Sequence, residues 1–358
     1  MARGGLSRRL CDFCNALVGW LKGGLSIVAI IACAIFAAIS GSAVATTAAI
    51  GGIMHPEMVK RGYSSPYSAA LPAVAGTLGI IIPPSIVFVI YGSTNGVSIS
   101  KLLMSGMLPG ILTAVVLCLY GYVVAKKENF PKSFDQFSLK RVLKSLKGAV
   151  WALMMPLIIL GGIYGGIFTP TESAMIACAY GLVVSFFVTK ELTVKNFFDV
   201  VSKTAASTAN VTVMFLAAQV FGFLIAYYDI TTTIANFFVA VSPNWIIFMG
   251  LVFILLTITG MFMEVGATNV ILSPLLAPVA AAFGIDPIHF GMVFVFLLAL
   301  GQATPPFGST MFIACGISGE RVAAVIRRLL PFVLVEYVCA LVFAYVPWFS
   351  TFLPSLMA

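Results

Sequence analysis

Long apolar stretches, separated by short polar or charged segments, make up most of this chain. A span of a membrane takes about 20 residues, and runs of roughly that length occupy 102–125, 148–168, 170–188, 207–228 and 329–350. Two more apolar stretches, 24–39 and 245–259, are shorter, and each leads into glycine and polar residues before a second apolar arm. The pattern predicts an all-α polytopic membrane protein. It also predicts two re-entrant helical hairpins, over about 24–58 and 245–283.

One long apolar run is interrupted by Gly301-Gln-Ala-Thr-Pro-Pro306. Neither proline can donate a backbone hydrogen bond, so in a helix the carbonyls of Gly301 and Gln302 would lose their partners. At membrane depth such carbonyls are tolerated only where protein buries them or where they line a wet cavity. We therefore predict a broken helix over about 287–317.

The same Gly-to-Pro-Pro spacing recurs in Gly79-Ile-Ile-Ile-Pro-Pro84, which lies 222 residues earlier, at position 79 instead of 301. It predicts a second broken helix over about 66–92. Glycine and proline constrain backbone geometry, so a match among them repeats a shape. The chain is predicted to contain two copies of one fold, 1–125 and 148–358, joined by a basic cytoplasmic loop, 126–147. Further matches at the same offset are Pro56 with Pro278, Gly62 with Gly284, and Leu108-Pro109 with Leu330-Pro331.

Composition supports a membrane protein. Hydrophobic residues make up 61% of the chain and charged residues 9%, and the mean hydropathy is +1.09, as in polytopic helical proteins. The net charge of +8 is explained by membrane topology, so no nucleic-acid partner is expected. The seven cysteines are scattered, and a single Cys-x-x-Cys over 11–14 is a weak metal signal. Without a nucleophile–base pair or a metal-ligand spacing, enzymatic activity is not expected.

The basic residues predict an orientation. If the first hairpin opens to the cytoplasm, counting crossings places these segments inside: 1–23, 59–62, 126–147, 190–203 and 320–328. They hold all 20 lysines and arginines except Lys101, as the positive-inside rule requires. Lys60-Arg61 of the first copy becomes Ala282-Phe283 in the second, so the geometry repeats while the charges do not. The copies are predicted to form an inverted repeat, which is common in secondary transporters.

Several motifs, in this order, resemble the large membrane subunit of tripartite ATP-independent periplasmic (TRAP) transporters, the DctM-like permeases. Each is moderately specific alone, and the ordered set is highly specific. The resemblance extends from residue 1 to about 340. The motifs are Ile39-Ser-Gly-Ser-Ala-Val-Ala45, Met58-Val-Lys-Arg-Gly-Tyr63, Gly79-Ile-Ile-Ile-Pro-Pro-Ser85, Gly161-Gly-Ile-Tyr-Gly-Gly-Ile-Phe-Thr-Pro-Thr-Glu172, and Gly284-Ile-Asp-Pro-Ile-His-Phe-Gly291 before Thr304-Pro-Pro306.

This resemblance implies a multi-pass permease of the bacterial inner membrane that imports small organic anions by Na⁺ symport. C4-dicarboxylates, sialic acids and keto acids are the implied substrate types. An elevator-type transport domain would carry both hairpins. The implied partners, besides the lipid bilayer, are a small DctQ-like membrane subunit and a periplasmic DctP-like solute-binding protein.

The resemblance also implies two Na⁺ sites, each between a hairpin tip and a helix break. The candidate ligands are Ser40, Gly41, Ser42, Gly76, Gly79, Pro83, Gly260, Glu264, Gly301, Thr304 and Pro305. Helix N-termini that follow the tips would point into one cavity and favour a carboxylate without a lysine or arginine. The candidate substrate residues are Ser42, Ala43, Thr94, Gly266, Thr268 and Asn269. Glu264, an acid in an apolar stretch, is a functional candidate by default, although a helix cap would explain it equally.

Two departures from the family pattern keep alternatives open. Projected back by 222 positions, residues 151–222 pair with positions before residue 1, so a stretch of scaffold is expected to be missing from the first copy. Leu297-Leu298 stand where an asparagine-containing run is expected, which leaves the anion open. One alternative is a binding-protein-independent Na⁺/carboxylate carrier of the same superfamily. The other is a truncated, non-transporting fragment or scaffold.

Overall fold

A computed structural model describes residues 6–357 except 135, 191 and 229. All regular structure in this part of the chain is helical, as predicted. The helices are α1 (Leu6–Val18), α2 (Gly24–Ser40), α3 (Ala43–Lys60), α4 (Ser65–Ala75), α5 (Leu78–Ile81), α6 (Ile86–Asn95), α7 (Ile99–Lys127), α8 (Leu139–Tyr164), α9 (Pro170–Val183, with a π-helical continuation over Val184–Val188), α10 (Val194–Tyr227), α11 (Ile230–Val241), α12 (Trp245–Phe262), α13 (Val265–Ala282), α14 (Pro287–Gly301), α15 (Ser309–Ser318), α16 (Val322–Tyr345) and α17 (Trp348–Ser355).

Six segments in the described residues are long and apolar enough to cross a membrane: Ser65–Asn95, Ile99–Lys127, Leu139–Tyr164, Pro170–Val188, Trp245–Phe262 and Val265–Ala282. The pair α16 and α17, bent by 63°, brings the total to as many as seven. Length and apolar character are the basis of this assignment. The fold is therefore that of an all-helical polytopic membrane protein.

Helix boundaries repeat at the offset of 222 residues. α3 begins at Ala43 and α13 at Val265, and the arms that precede them end at Ser40 and Phe262. Both diproline bonds, Pro83–Pro84 and Pro305–Pro306, are cis. Gly62 and Gly284, which end the corresponding second arms, have φ values of 87° and 73°, a region that favours glycine. The two copies therefore share backbone conformation as well as residue types.

Contacts between the copies are reciprocal. α3 of the first copy packs against α15 of the second, and α13 of the second packs against α6 of the first. In the same way α4 packs against α16 while α14 packs against α7. Two like units related by a twofold axis make every such contact twice, once in each direction. Each hairpin is thus held by the helix that follows the break in the other copy.

The basic segment 126–147 was predicted as a loop, and its second half is helical instead. α8 begins at Leu139, where the Ser138 hydroxyl accepts a hydrogen bond from the Arg141 amide at 3.4 Å. Leucine, lysine and arginine are good helix formers, so the lysine-rich stretch continues into the apolar span without a break.

Two other predicted boundaries differ. The span predicted over 207–228 is the second part of the longer helix α10, which begins at Val194 and ends at Tyr227, because no proline interrupts it. The last span, predicted over 329–350, begins at Val322 and ends at Tyr345. Pro347 explains this end, because a residue before proline disfavours the helical conformation, and Val346 has φ −122° and ψ 87°.

The N-terminal helix α1 is amphipathic, with arginines on one face and apolar residues on the other. Its apolar face packs against α2 and α8, and Leu10 and Cys14 are fully buried. Burial raises the pKa of the Cys11 thiol to about 12. Since the thiolate is the nucleophile and the metal ligand, this cysteine is unreactive near neutral pH.

The sequences Thr169-Pro-Thr-Glu172 and Asp286-Pro287 predict helix starts with side-chain caps, and both caps are confirmed. The Thr169 hydroxyl accepts from the Glu172 amide at 3.3 Å, and Glu172 Oε2 accepts from the Thr169 amide at 2.8 Å. Together they form the reciprocal capping box at the start of α9. Asp286 Oδ1 accepts from the amides of Ile288 and His289 at 2.8 and 2.9 Å. These caps satisfy backbone donors at helix starts.

Replacing Thr169 tests the cap. Thr169→Ala removes the acceptor and should lower the free energy of unfolding by about 1 kcal/mol, measured by thermal unfolding of the purified chain in detergent. Thr169→Ser keeps a hydroxyl and should unfold like the wild type. Equal loss in both variants would contradict the capping role.

Candidate functional site

The first hairpin tip touches the first helix break so closely that only glycine fits. A Cβ on Gly79 would lie 2.5 Å from the Ser42 carbonyl oxygen, and a Cβ on Gly76 would lie 1.9 Å from the Thr47 hydroxyl. Gly41, at the tip itself, has φ 62°, and its carbonyl accepts from the Ile86 amide at 3.4 Å. The tip and the break therefore form one packed unit.

Oxygen atoms are concentrated at this first contact. The Thr46 hydroxyl donates to the Ser42 carbonyl at 2.8 Å and lies 2.8 Å from the Ser40 hydroxyl. The Ser42 hydroxyl accepts from the Ala45 amide at 3.4 Å and so caps α3. Hydroxyl and carbonyl oxygens are the ligands that hard cations take in proteins. The set fits a cation chemically.

The second contact is made by the last turn of α12. A Cβ on Gly301 would lie 2.6 Å from both the Cα and the carbonyl oxygen of Gly260, so two backbones meet directly. At the tip, Glu264 Oε2 accepts from the Ala267 amide at 3.0 Å. The carboxylate therefore caps α13, which is one of the two roles that the sequence leaves open for it.

The carbonyls that an unbroken helix would leave without partners are hydrogen-bonded at the second break. The Gly301 carbonyl accepts from the Thr304 amide at 3.1 Å, and the Gln302 carbonyl accepts from the Thr310 amide at 3.0 Å and its hydroxyl at 2.9 Å. The turn after Gly301 and the start of α15 supply these donors, because the helix breaks at this point. A carbonyl has two lone pairs, so the Gly301 carbonyl keeps one for a further ligand, whereas both lone pairs of the Gln302 carbonyl accept hydrogen bonds.

Both tips line one cavity of about 190 Å³. Ser42 and Glu264, the N-cap residues of α3 and α13, lie on its wall together with Gly41, Gly266 and Gln302. The other wall residues are apolar, and none of the described lining residues is basic. Two helix N-termini, which carry partial positive charge, therefore meet at a small and mostly apolar chamber.

The predicted site residues divide into two groups. Gly41, Ser42, Glu264 and Gly266 line the cavity, whereas the remainder lie outside its described wall. Asn269 is fully buried against α6, where its Nδ2 donates to the Val87 carbonyl at 3.0 Å. The Thr268 hydroxyl donates to the Glu264 carbonyl at 2.9 Å. Outside the wall are Ser40, Ala43, Gly76, Gly79, Pro83, Thr94, Gly260, Thr268, Asn269, Gly301, Thr304 and Pro305.

One buried acid escaped the sequence analysis. Glu336 of α16 is fully buried, and its Oε1 lies 2.7 Å from the Thr77 hydroxyl, between the two glycines of the first break. The next residue, Tyr337, places its hydroxyl 3.1 Å from that of Thr304 at the second break. The signal was present, because Glu336 is the only charged residue of the apolar run 329–350, and such residues are functional candidates.

These features are those of a polytopic membrane protein with a small internal cavity. The chain matches the family described as "Tripartite ATP-independent periplasmic transporter, DctM component" over residues 1–349. It is 42% identical over 347 residues to the isethionate TRAP transporter permease protein DctMQ of Oleidesulfovibrio alaskensis, covering 97% of this chain and 55% of that protein. It is 38% identical over 355 residues to the C4-dicarboxylate TRAP transporter large permease protein DctM of Pseudomonas aeruginosa, covering 99% and 83%.

A third relative is the sialic acid TRAP transporter permease protein SiaT of Haemophilus influenzae, 33% identical over 357 residues, with 100% of this chain and 58% of that protein covered. The chain thus spans little more than half of two of these relatives and 83% of the other. The chain belongs to the DctM family of TRAP transporter large permeases.

The close contacts at the breaks predict the cost of a methyl group. Gly79→Ala and Gly301→Ala each force backbone atoms apart and should lower the free energy of unfolding by about 1–3 kcal/mol. Gly52→Ala and Gly316→Ala are matched helical controls, since a Cβ at either position meets nothing within 4 Å, and they should raise stability by up to about 1 kcal/mol. Thermal unfolding measures all four, and equal stability of test and control variants would refute the contacts.

Glu264 can be tested separately as a cap. Glu264→Gln keeps a side-chain oxygen for the Ala267 amide and should unfold like the wild type, while Glu264→Ala should lose about 1 kcal/mol. Comparing thermal unfolding of the two variants separates hydrogen bonding from charge. A loss in Glu264→Gln as large as that in Glu264→Ala would show that the charge itself is required.

Proposed function

We propose that this chain is the membrane permease of a Na⁺-coupled importer of small organic anions. The observation that carries the proposal is the convergence of the N-termini of α3 and α13 on one cavity without basic lining residues. Helix N-termini bind anions through free backbone amides and the helix dipole. An acid group held in this way needs no buried lysine or arginine.

Na⁺ would bind where each tip meets its break. At the first contact the oxygens of Ser40, Ser42 and Thr46 lie within hydrogen-bond distance of one another, beside Gly79. At the second contact, the corresponding oxygens are the Gly301 carbonyl, which keeps one lone pair, and the Thr304 hydroxyl. A bound cation supplies positive charge next to the cavity and so favours the anion.

The names of the relatives support the substrate class. The substrates in the three names given above are isethionate, C4-dicarboxylate and sialic acid, and a further relative is named for 2,3-diketo-L-gulonate. Each of these molecules carries an acid group. For this chain we propose that the acid group lies at the start of α3. Ser42, the cap of α3, is neutral, whereas Glu264 already places a carboxylate at the start of α13. That carboxylate would repel a second anion there.

The inverted repeat and an elevator movement belong to the same proposal. Reciprocal contacts between the copies support a twofold relation. Lys60-Arg61 of the first copy have the uncharged residues Ala282-Phe283 at the equivalent positions of the second, which supports opposite orientation in the membrane. Both hairpins would then be re-entrant and would move with the two broken helices as one transport domain in the bacterial inner membrane.

We propose the same partners as the resemblance implies, a small membrane subunit and a periplasmic solute-binding protein. Large apolar side chains on α8 and α9, among them Leu157 at 64% and Met175 at 61% exposure, offer a face for lipid or for the small subunit. The binding protein would deliver the anion to the cavity from the periplasmic side.

Uptake into proteoliposomes tests the proposal. The chain, reconstituted with its small subunit, should take up one of the four anions above when an inward Na⁺ gradient and the binding protein are both present. A K⁺ gradient of equal size should give no uptake. Equal uptake with both gradients would contradict Na⁺ coupling, and Na⁺-driven uptake without the binding protein would favour the binding-protein-independent carrier.

A further inference from the structure

Glu336 has an unusual environment for a carboxyl group. Its side chain is fully buried in α16, Oε2 has no hydrogen-bond partner, and no ion pair of the described residues includes it. An ionised carboxylate buried without a cation is strongly disfavoured. Something must therefore balance the charge or remove it.

The contacts of the Thr77 hydroxyl indicate that protonation removes the charge of Glu336. The Thr77 hydroxyl oxygen lies 2.7 Å from Glu336 Oε1 and 2.7 Å from the Val74 carbonyl oxygen. Two oxygens at this distance share a hydrogen atom, and threonine has only one hydroxyl hydrogen. If Glu336 were ionised, one of the two contacts would lack a proton. If Oε1 is protonated, Glu336 donates to Thr77 and Thr77 donates to Val74, and both contacts are satisfied.

The elements packed against α16 are α4, α7, α12, α14 and α15. α12 has no titratable side chain, and the lysines of α7 are exposed in its first and last turns. On α16 itself, Arg327 and Arg328 lie about two turns away, and Arg328 pairs with Glu128. The titratable groups that remain are tyrosines, cysteines and one histidine: Tyr67, Cys118, Tyr120, Tyr122, His289, Cys315, Tyr337, Cys339 and Tyr345.

The position of Thr77 links this carboxyl group to the first hairpin tip. Thr77 lies between Gly76 and Gly79, whose other faces touch Thr47 and Ser42. A cation bound at that contact would therefore be separated from Glu336 by one turn of broken helix. Within a low-dielectric interior, a positive charge at this range favours the ionised form of the acid.

We propose that Glu336 is a proton-binding site, that it carries a proton in this structure, and that a cation bound at the first break displaces that proton. The second half rests on the proposed Na⁺ coupling, while the first stands on the geometry alone. Binding of one cation would release one proton from Oε1 to bulk water. Na⁺ binding at this site would then tighten as pH rises, by up to about tenfold per pH unit while Glu336 remains protonated.

Infrared difference spectroscopy of the full chain in detergent tests the protonated state. The carbonyl stretching band of a protonated, hydrogen-bonded carboxyl group is expected near neutral pH and should disappear in Glu336→Gln. This variant is neutral and keeps a donor for Thr77, so it should fold. Thr77→Val should retain the band but move it to the frequency of a carboxyl group without a hydrogen bond. Glu320→Gln, at a partly exposed glutamate before α16, is the matched control and should leave the band unchanged.

Adding NaCl tests the exchange. In the wild type, NaCl but not KCl at the same ionic strength should diminish the band, and the Na⁺ concentration needed for half-maximal thermal stabilisation should fall with pH. In Glu336→Gln that concentration should not vary with pH. A band that persists in Glu336→Gln, or no band at all, would overturn the proton site. Stabilisation by NaCl with an unchanged band would overturn the exchange only, whereas the absence of Na⁺-specific stabilisation would overturn the Na⁺ coupling itself.

Discussion

Every polar group of the backbone must find a partner inside an apolar medium, and the two helix breaks exist under this constraint. A Pro-Pro pair removes two amide donors, yet at the second break the turn at Thr304 and the start of α15 restore partners to the carbonyls of Gly301 and Gln302. The hairpin tips close the same regions from the other side, at distances that only glycine permits. Break and tip thus depend on each other, and a cavity forms where the two pairs meet.

The two copies share their backbone geometry but differ in the polar side chains at their hairpin tips. Cis diproline bonds, left-handed glycines and helix boundaries recur at one offset, because backbone geometry is what both copies need. At the tips, however, the first copy presents neutral hydroxyl groups around Ser42, while the second presents the charged cap Glu264. The buried acid Glu336 faces the first break, and its neighbour Tyr337 contacts the second. The helix α16 therefore contacts both breaks.

Much of the fold could be predicted, because proline, glycine and capping residues act locally. The capping box at Thr169 and the cap at Asp286 are confirmed at the predicted residues. The start of α8 at Leu139 was missed although Ser138 caps it, because the lysine-rich stretch was interpreted as a loop. The helix α10 was missed as a single element, because no proline separates its two parts. At the site, the family resemblance named Ser42 and Gly266 as candidate substrate residues, and both lie on the cavity wall. It gave no sign that Asn269 turns away toward α6 or that the carbonyls at Gly301 and Gln302 recover donors, since tertiary contacts decide both.

The central claim is that tips and breaks together form cation sites beside a shared anion cavity. Thermal unfolding of the purified chain in NaCl and in KCl, at constant ionic strength, tests it without substrate or partners. A cation at about 100 times its dissociation constant stabilises the folded state by roughly 2.7 kcal/mol, so a clear Na⁺-specific rise in the unfolding temperature is the predicted result. Superimposable unfolding curves in the two salts over the whole concentration range would contradict the account.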